Sequence, residues 1–259
     1  MKQVFVYASL EELSFSGRPE MKSETFTLLL KNNLSQASLR KAGSLKLLLD
    51  LKNIYSLLAE RPFDRRGSIS KTALKSFLAA EENLPSYVFE FFDSYQTRNE
   101  QITNFPQLLS RYFQTEIKAK TRIVAEFLRF EYDMSILSSA YLARFRGIPI
   151  EHALKNEDMD NPTVLMLIAQ KDGTRPLVFP SEFSDLEKRL TEVESLPFEM
   201  MQAFEERRFE YYRGQMNRLP FTLRAILAYM MQLWTVEEFF ALQDCDTAAW
   251  MEKIVEDVS

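Results

Sequence analysis

Proline inside a helix removes a backbone hydrogen bond and clashes with the preceding turn, so its placement marks where long helices are permitted. The ten prolines of this 259-residue chain leave three stretches of roughly 40 residues with none: 20–61, 107–148 and 221–259. All three are rich in Leu, Met, Ala, Glu, Lys and Arg, which lose little conformational freedom in a helix. Glycine is equally sparse. Its six positions are Gly17, Gly43, Gly67, Gly147, Gly173 and Gly214, and no two lie closer than 24 residues. A GxGxxG dinucleotide loop or a GxxxxGKS/T phosphate loop needs glycines two to five apart, because the backbone must approach phosphate without intervening Cβ atoms. Both motifs are excluded.

The middle stretch carries the clearest pattern. Leu109, Phe113, Ile117, Val124, Phe127, Met134, Leu137, Tyr141 and Phe145 recur at spacings of three, four or seven, an apolar stripe of about ten helical turns. Lys120 and Glu131 interrupt it, which leaves one long bent helix or two in series. Gly147 and then Pro149 supply the stop. In the first stretch the pattern predicts a helix over about 22–32 with Ser23 as N-cap, and a second over about 39–58 with Ser35 ahead of it as N-cap. Pro62 to Ser70 reads as a loop, with Ser70 capping a helix through Ala80. A short helix is expected after Pro85, then a polar connector over 97–104. Lys2 to Ala8 is the only β-like run.

From Gly147 to Ser181 the texture changes. Pro149, Pro162, Pro176 and Pro180 fall within 32 residues, around the acidic patch Glu157-Asp158-Met159-Asp160. The expected organisation is therefore N-terminal helical unit(s) over 1–148 ending in the long helix, a Pro-rich connector over 149–181, and a C-terminal helical unit over 182–259. A short helix near 163–170 is expected in the connector, and helices over about 181–194, 198–216, 221–242 and 246–255 after it. Glu82-Asn83-Leu84-Pro85 with Phe92-Asp93 matches Glu194-Ser195-Leu196-Pro197 with Phe204-Glu205 at an offset of 112. Two unrelated helix starts bearing an early proline or a duplicated helical unit would both produce this.

Composition removes further function classes. A net charge of −5 and a pI near 5.3 argue against a general nucleic-acid binder, which shows a basic face. The longest uncharged run, Ala225 to Val236, has 12 residues, short of the roughly 20 that a membrane span needs. The apolar run Val4 to Leu10 meets Glu11 and Glu12 too early for a signal peptide. One cysteine and one histidine exclude a disulfide scaffold and a Cys/His zinc site, and a lone thiol suits a reducing compartment. The expectation is a cytoplasmic protein with no metal, no cofactor and no catalytic residue.

Individual residues fit that expectation. His152 has no nucleophile signature beside it. Cys245 lies between Asp244 and Asp246, and negative neighbours raise a thiol pKa, the reverse of activation. Asp64-Arg65-Arg66-Gly67-Ser68-Ile69 has the Gly-to-aliphatic step of a calcium loop but lacks its acidic ligands, and reads as a tight turn into a capped helix. The pairs Glu81-Glu82, Glu205-Glu206 and Glu237-Glu238 diverge by about 100° on a helix. From Thr235 to Ser259 there are seven acidic residues and one lysine. Just before, Arg207, Arg208, Arg213, Arg218 and Arg224 interleave with Phe209, Tyr211 and Tyr212. Arg and Tyr favour partner interfaces. Pairing of these arginines with the acidic C-terminus is the competing use.

Three segments carry a likeness to known families. Phe5-Val6-Tyr7-Ala8-Ser9-Leu10 followed by Leu13-Ser14-Phe15 resembles the N-terminus of an uncharacterised family encoded in V-type ATPase operons of chlamydiae and other bacteria. That family is similar to the central-stalk component of V-type ATPases that carries the letter C in archaea and bacteria and d in eukaryotes. Asp133-Met134-Ser135-Ile136-Leu137 with Tyr141 to Gly147 resembles the pattern of this C/d component, in which an Asp opens a leucine-rich turn and a basic pair precedes a Gly. This chain has Ser135-Ile136 where that pattern has Asn-Leu. Phe221 to Trp234 with its acidic tail is similar to the last long helix of the operon family.

The resemblance implies a rotor part. The C/d component is an all-α funnel of three helical units that seats the central shaft on the membrane rotor ring. At 259 residues this chain is shorter than that fold, which implies an elongated all-α protein of two or three packed helical units, a partial funnel. The function implied is a non-catalytic central-stalk subunit of a V-type rotary ATPase or ATP synthase, partnered by ring and shaft subunits and peripheral to the membrane through them. The alternative is a soluble helical adaptor or assembly factor. The residues expected to dock or to brace are Asp133, Arg144, Arg146, Arg207, Arg208, Tyr211 and Tyr212.

Overall fold

The computed structural model describes residues 2–170, 176–193 and 197–244; they are all-helical, with no strand among them. They divide into two units, the first within Met1–Leu39, Met134–Leu154 and Pro162–Ser259, the second within Arg40–Asp133 and Lys155–Asn161. The last expected helix, 246–255, lies outside the described residues.

The helices follow one another as α1 (Lys2–Ala8), α2 (Ser23–Asn33), α3 (Gln36–Leu58), α4 (Lys71–Ala80), α5 (Ser86–Ser94), α6 (Arg98–Thr103) and α7 (Phe105–Ala119). Then come α8 (Arg122–Phe145), α9 (Ile150–Ala153), α10 (Pro162–Ile168), a 3-10 turn (Ser181–Phe183), α11 (Ser184–Glu192), α12 (Pro197–Arg218) and α13 (Leu223–Asp244). The long middle stripe is thus two helices in series. Lys120 takes an extended backbone between them, its N–H still closing α7 on the Glu116 carbonyl.

The first unit is built on α13. That helix is apolar on all sides, from Leu223 to Val236 almost every residue is buried, and a helix of this kind belongs at a core centre. α12 packs along it, and the Gln232 amide donates to the Phe209 carbonyl at 3.4 Å. The N-terminal segment follows α13 in parallel: Tyr7 meets Phe221, and Phe15 meets Phe239 at ring-centroid distances of 4.7 and 4.6 Å. α2 runs the other way, with Ser23 at Glu237 and Phe26 at Tyr229.

Three local expectations are corrected. Lys2–Ala8 is helical, not extended. Its alternating β-branched and aromatic residues favour a strand, but a helix pairs its own backbone while burying Val6 completely. Ser23 does not cap α2. Its N–H and hydroxyl both donate to the Glu237 carboxylate, at 2.8 and 2.5 Å, so an acid from α13 takes the cap's place. The connector over 97–104 is helix α6, opened by a capping box in which Thr97 and Glu100 satisfy each other's backbone donors.

The second unit packs α5, α7, α3 and the first part of α8 through aromatic rings. Phe91 meets Tyr95 and Phe105, Tyr55 meets Phe105, and Phe113 stacks on Tyr132 at 5.0 Å and 27°. Ser70 accepts from the Ala73 N–H and caps α4, and Ser35 accepts from the Ser38 N–H at the start of α3, both as expected. Of the faint repeat, positions 194–196 lie outside the described residues. Its two helices differ: α5 has 9 residues and α12 has 22.

Candidate functional site

Two arginines of α12, Arg207 and Arg208, are engaged within the first unit. Arg207 places its Nε 3.3 Å from Asp185 of α11, donates to the Glu182 carbonyl and lies over the Phe183 ring at 5.4 Å. Only 16% of its side chain is exposed. Arg208 donates to the buried Glu205 at 2.6 Å. Tyr212 is fully buried and packs edge-on against Tyr211. Arg224 donates to Gln215 across the turn between α12 and α13. Acids that pair with this region include Asp185 of α11 and Glu205 of α12, while most acids of the C-terminal segment lie outside the described residues. From the acidic C-terminal segment, Asp244 is held by Arg18 at 2.5 Å.

Arg189, which sequence reasoning missed, ties α11 to α12. It donates to Glu206 at 2.8 Å and to Glu210 at 2.7 Å. The hydrogen bond to Glu210 is the main reason its guanidinium holds its proton more tightly than usual, with burial acting against it. The available signal was Glu206 and Glu210, an i,i+4 acidic pair facing one direction on a helix.

Asp133, Arg144 and Arg146 do not converge. Asp133 and Arg144 are three turns apart on α8, about 16 Å along the axis at 1.5 Å per residue. Arg144 closes the helix, the ring of Phe145 is 49% exposed beside it, and Gly147 follows with φ of +69°. The Ile148 N–H reaches back to the Ala143 carbonyl and the Gly147 N–H to Arg144, a left-handed C-terminal stop that glycine adopts without steric penalty.

In the second unit the sequence 64–69 is fastened to α3. Asn53 donates to the Asp64 carbonyl and accepts from the Asp64 N–H, both at 2.8 Å. Asp50 accepts from the N–H groups of Ser68 and Ile69 at 2.8 and 3.1 Å. Burial raises the Asp50 pKa, and the two amides and Lys46 offset only part of that. Burial would also raise Asp64, but its hydrogen-bonded pair with Arg66 outweighs burial and holds it below the usual range. No calcium-loop geometry forms.

Also in this unit, Glu157 meets the hydroxyls of Tyr132 and Ser110. Burial pushes its pKa up, those hydroxyls pull it down, and Asp158 pushes it up again, with a net rise. A protonated carboxyl can serve as an acid; the groups that act on it here are the hydroxyls of Tyr132 and Ser110 and the carboxylate of Asp158.

His152 is exposed on the short α9, and Cys245 lies outside the described residues. Among the described residues no group of three His, Cys, Asp or Glu side chains is placed to hold a metal ion, and no helix is long and apolar enough to cross a membrane.

Comparison with known proteins adds one decisive observation. The profile of DUF2764, described as a protein family of unknown function, matches residues 1–258. The chain belongs to the DUF2764 family. DUF2764 relatives in chlamydiae are detectable at low identity: uncharacterized proteins of Chlamydia pneumoniae and Chlamydia muridarum are each 23% identical over 206 residues, 77% of either chain. One of Chlamydia trachomatis is 26% identical over 182 residues, 68% of either chain. No solved structure matches. For this member of DUF2764, the polar clusters described above join one helix or loop to another.

Proposed function

We propose that this chain is a non-catalytic, all-helical part that couples the membrane rotor ring of a V-type rotary ATPase to its central shaft. The observation that carries the reading is the segment Asp133 to Gly147. Its likeness to the C/d central-stalk pattern falls on the last three turns of α8 and on the left-handed stop at Gly147. Arg144 and Arg146 there flank an exposed Phe145, and a charged aromatic helix end is suited to docking another protein. Ion pairs such as Arg207–Asp185 and Arg189–Glu210 lock neighbouring helices together, as a part that passes on torque requires.

Co-purification tests the proposal. A tagged chain drawn from its native membranes in gentle detergent should carry ring and shaft subunits in fixed stoichiometry. Phe145→Ser with Arg146→Glu should lower that recovery several-fold. Recovery of no ATPase component would sink it. Recovery only from immature assemblies would instead favour the assembly-factor reading.

A further inference from the structure

At one end of the first unit the chain exposes apolar side chains that packing does not explain. Phe5 is 57% exposed and Val4 49%, on α1; Leu219 and Phe221, in the turn between α12 and α13, are 47% and 50% exposed. The two elements are joined, because the Tyr7 ring lies 4.7 Å from that of Phe221. The turn is also strained. Phe221 has φ of +60°, a region that bulky residues rarely enter. Thr222 fixes it there, donating to the Leu219 carbonyl at 2.6 Å and accepting from the Ala225 N–H at the start of α13. In this conformation the Phe221 ring stands half in solvent.

The charged side chains that α1, the α12–α13 turn and the C-terminal half of α2 bring to this end are basic. Between Glu210 and Glu237 the sequence has no acid, but has Arg213, Arg218 and Arg224. Among residues 2–10 the only charged one is Lys2. α2 brings its C-terminal half here, since it runs antiparallel to α13, and after Glu24 that helix carries only Lys31. Lys2, Lys31, Arg213 and Arg218 are all exposed.

We infer that this end is a docking face for an anionic phospholipid surface. Exposed aromatic and aliphatic side chains on elements that also carry exposed Lys and Arg match the headgroup boundary of such a surface, where rings insert and cations meet lipid phosphates. The apolar groups stand on a turn and on the outer side of a two-turn helix, so they project and need no matching cavity. The inference is independent of the proposed function: a chain that recovers no ATPase component can still bind lipid here.

Vesicle flotation of the full chain decides it. The chain should float with vesicles of equal parts phosphatidylcholine and phosphatidylserine and stay behind with phosphatidylcholine alone. Lys2→Gln and Arg218→Gln should each weaken binding about fivefold, the value of one cation near such a surface. Phe5→Ser should weaken it further, whereas Lys188→Gln, on α11, should not change it. All four positions are exposed, so the variants fold, and circular dichroism checks this. Absence of flotation, equal flotation with both vesicles, or equal loss in the Lys188 variant overturns the inference. So does a concentration-dependent dimer that Phe5→Ser dissociates without any flotation, which would assign the face to a second copy.

Discussion

A Cβ on Gly67 would stand 2.4 Å from Oδ1 of Asp50, inside any real contact distance. The same oxygen accepts the N–H groups of Ser68 and Ile69, so the missing side chain is what lets the loop close over the α3 carboxylate. Gly67→Ala should therefore cost about 1–3 kcal/mol, the range for leaving buried polar groups unmet, read as a lower urea midpoint. Asp50→Ala should be destabilising too. The double variant should be less destabilised than the sum, because removal of the carboxylate removes the collision. Strict additivity would refute the coupling.

Arg189 holds two acids of α12 at once, each about a third exposed. Exposed pairs are individually weak, so Arg189→Ala should lower stability by about 1 kcal/mol in total. Salt screens such pairs, so thermal melts should show the difference shrinking as ionic strength rises. Arg189→Lys should recover only part of the loss, since an ammonium lacks the fork that reaches Glu206 and Glu210 together. A loss that is independent of salt would point to packing of the side-chain stem instead.

The elements readable in the sequence are those whose causes are local. Ser70 and Ser35 cap the helices that follow them, the α7–α8 break falls at Lys120, and Gly147 ends α8, all within a few residues of the deciding group. α6 is readable as well, for the Thr97–Glu100 spacing is a capping box, but its polarity gives it the texture of a loop. Ser23 is not readable. The carboxylate that takes its hydroxyl is 214 positions away, and Ser before an apolar run looks the same whether it accepts as a cap or donates to a distant acid. α1 is of the same kind, its state decided by what Val6 and Tyr7 meet. Among the residues expected to dock or brace, Tyr212 illustrates the remaining ambiguity: an aromatic in a basic region suits an interface, and only the packing of α12 on α13 reveals that it is buried.

Glu157 makes stability depend on pH in an identifiable direction. Burial raises its folded-state pKa above the ordinary 4.5, against the pull of Tyr132 and Ser110. In the window between the unfolded value and the raised folded value, the native state binds more protons than the unfolded state. Stability contributed by this group is then greatest below about 4.5 and falls as pH rises through the window. Asp64, with a lowered pKa, acts in the opposite direction, so the contribution must be isolated as a difference. Urea midpoints of the parent chain minus those of Glu157→Gln should increase as pH falls from neutral toward 4.5. A difference that stays flat or declines would remove the raised carboxyl from the account.

The glycines separate into those with a geometric reason and those without. Glycine inside a helical pattern suggests a bend or a boundary, yet α3 and α12 run through Gly43 and Gly214 without a break. A Cβ at either position would meet nothing within 4 Å, so neither a turn nor a close approach requires glycine there. Alanine restricts the unfolded chain and favours the helix. Gly43→Ala and Gly214→Ala should each raise stability by about 0.4–1 kcal/mol. Gly147 also has open space around its Cβ, but its φ of +69° places it where L residues are strained. Gly147→Ala should therefore destabilise by about 1–2 kcal/mol, the penalty of the left-handed region, and Gly147→Asn by less. Thermal melts of the four variants check all of this together. If Gly147→Ala proved as harmless as the other two alanines, the left-handed stop after α8 would not be what fixes the direction of the chain beyond Arg144 and Arg146.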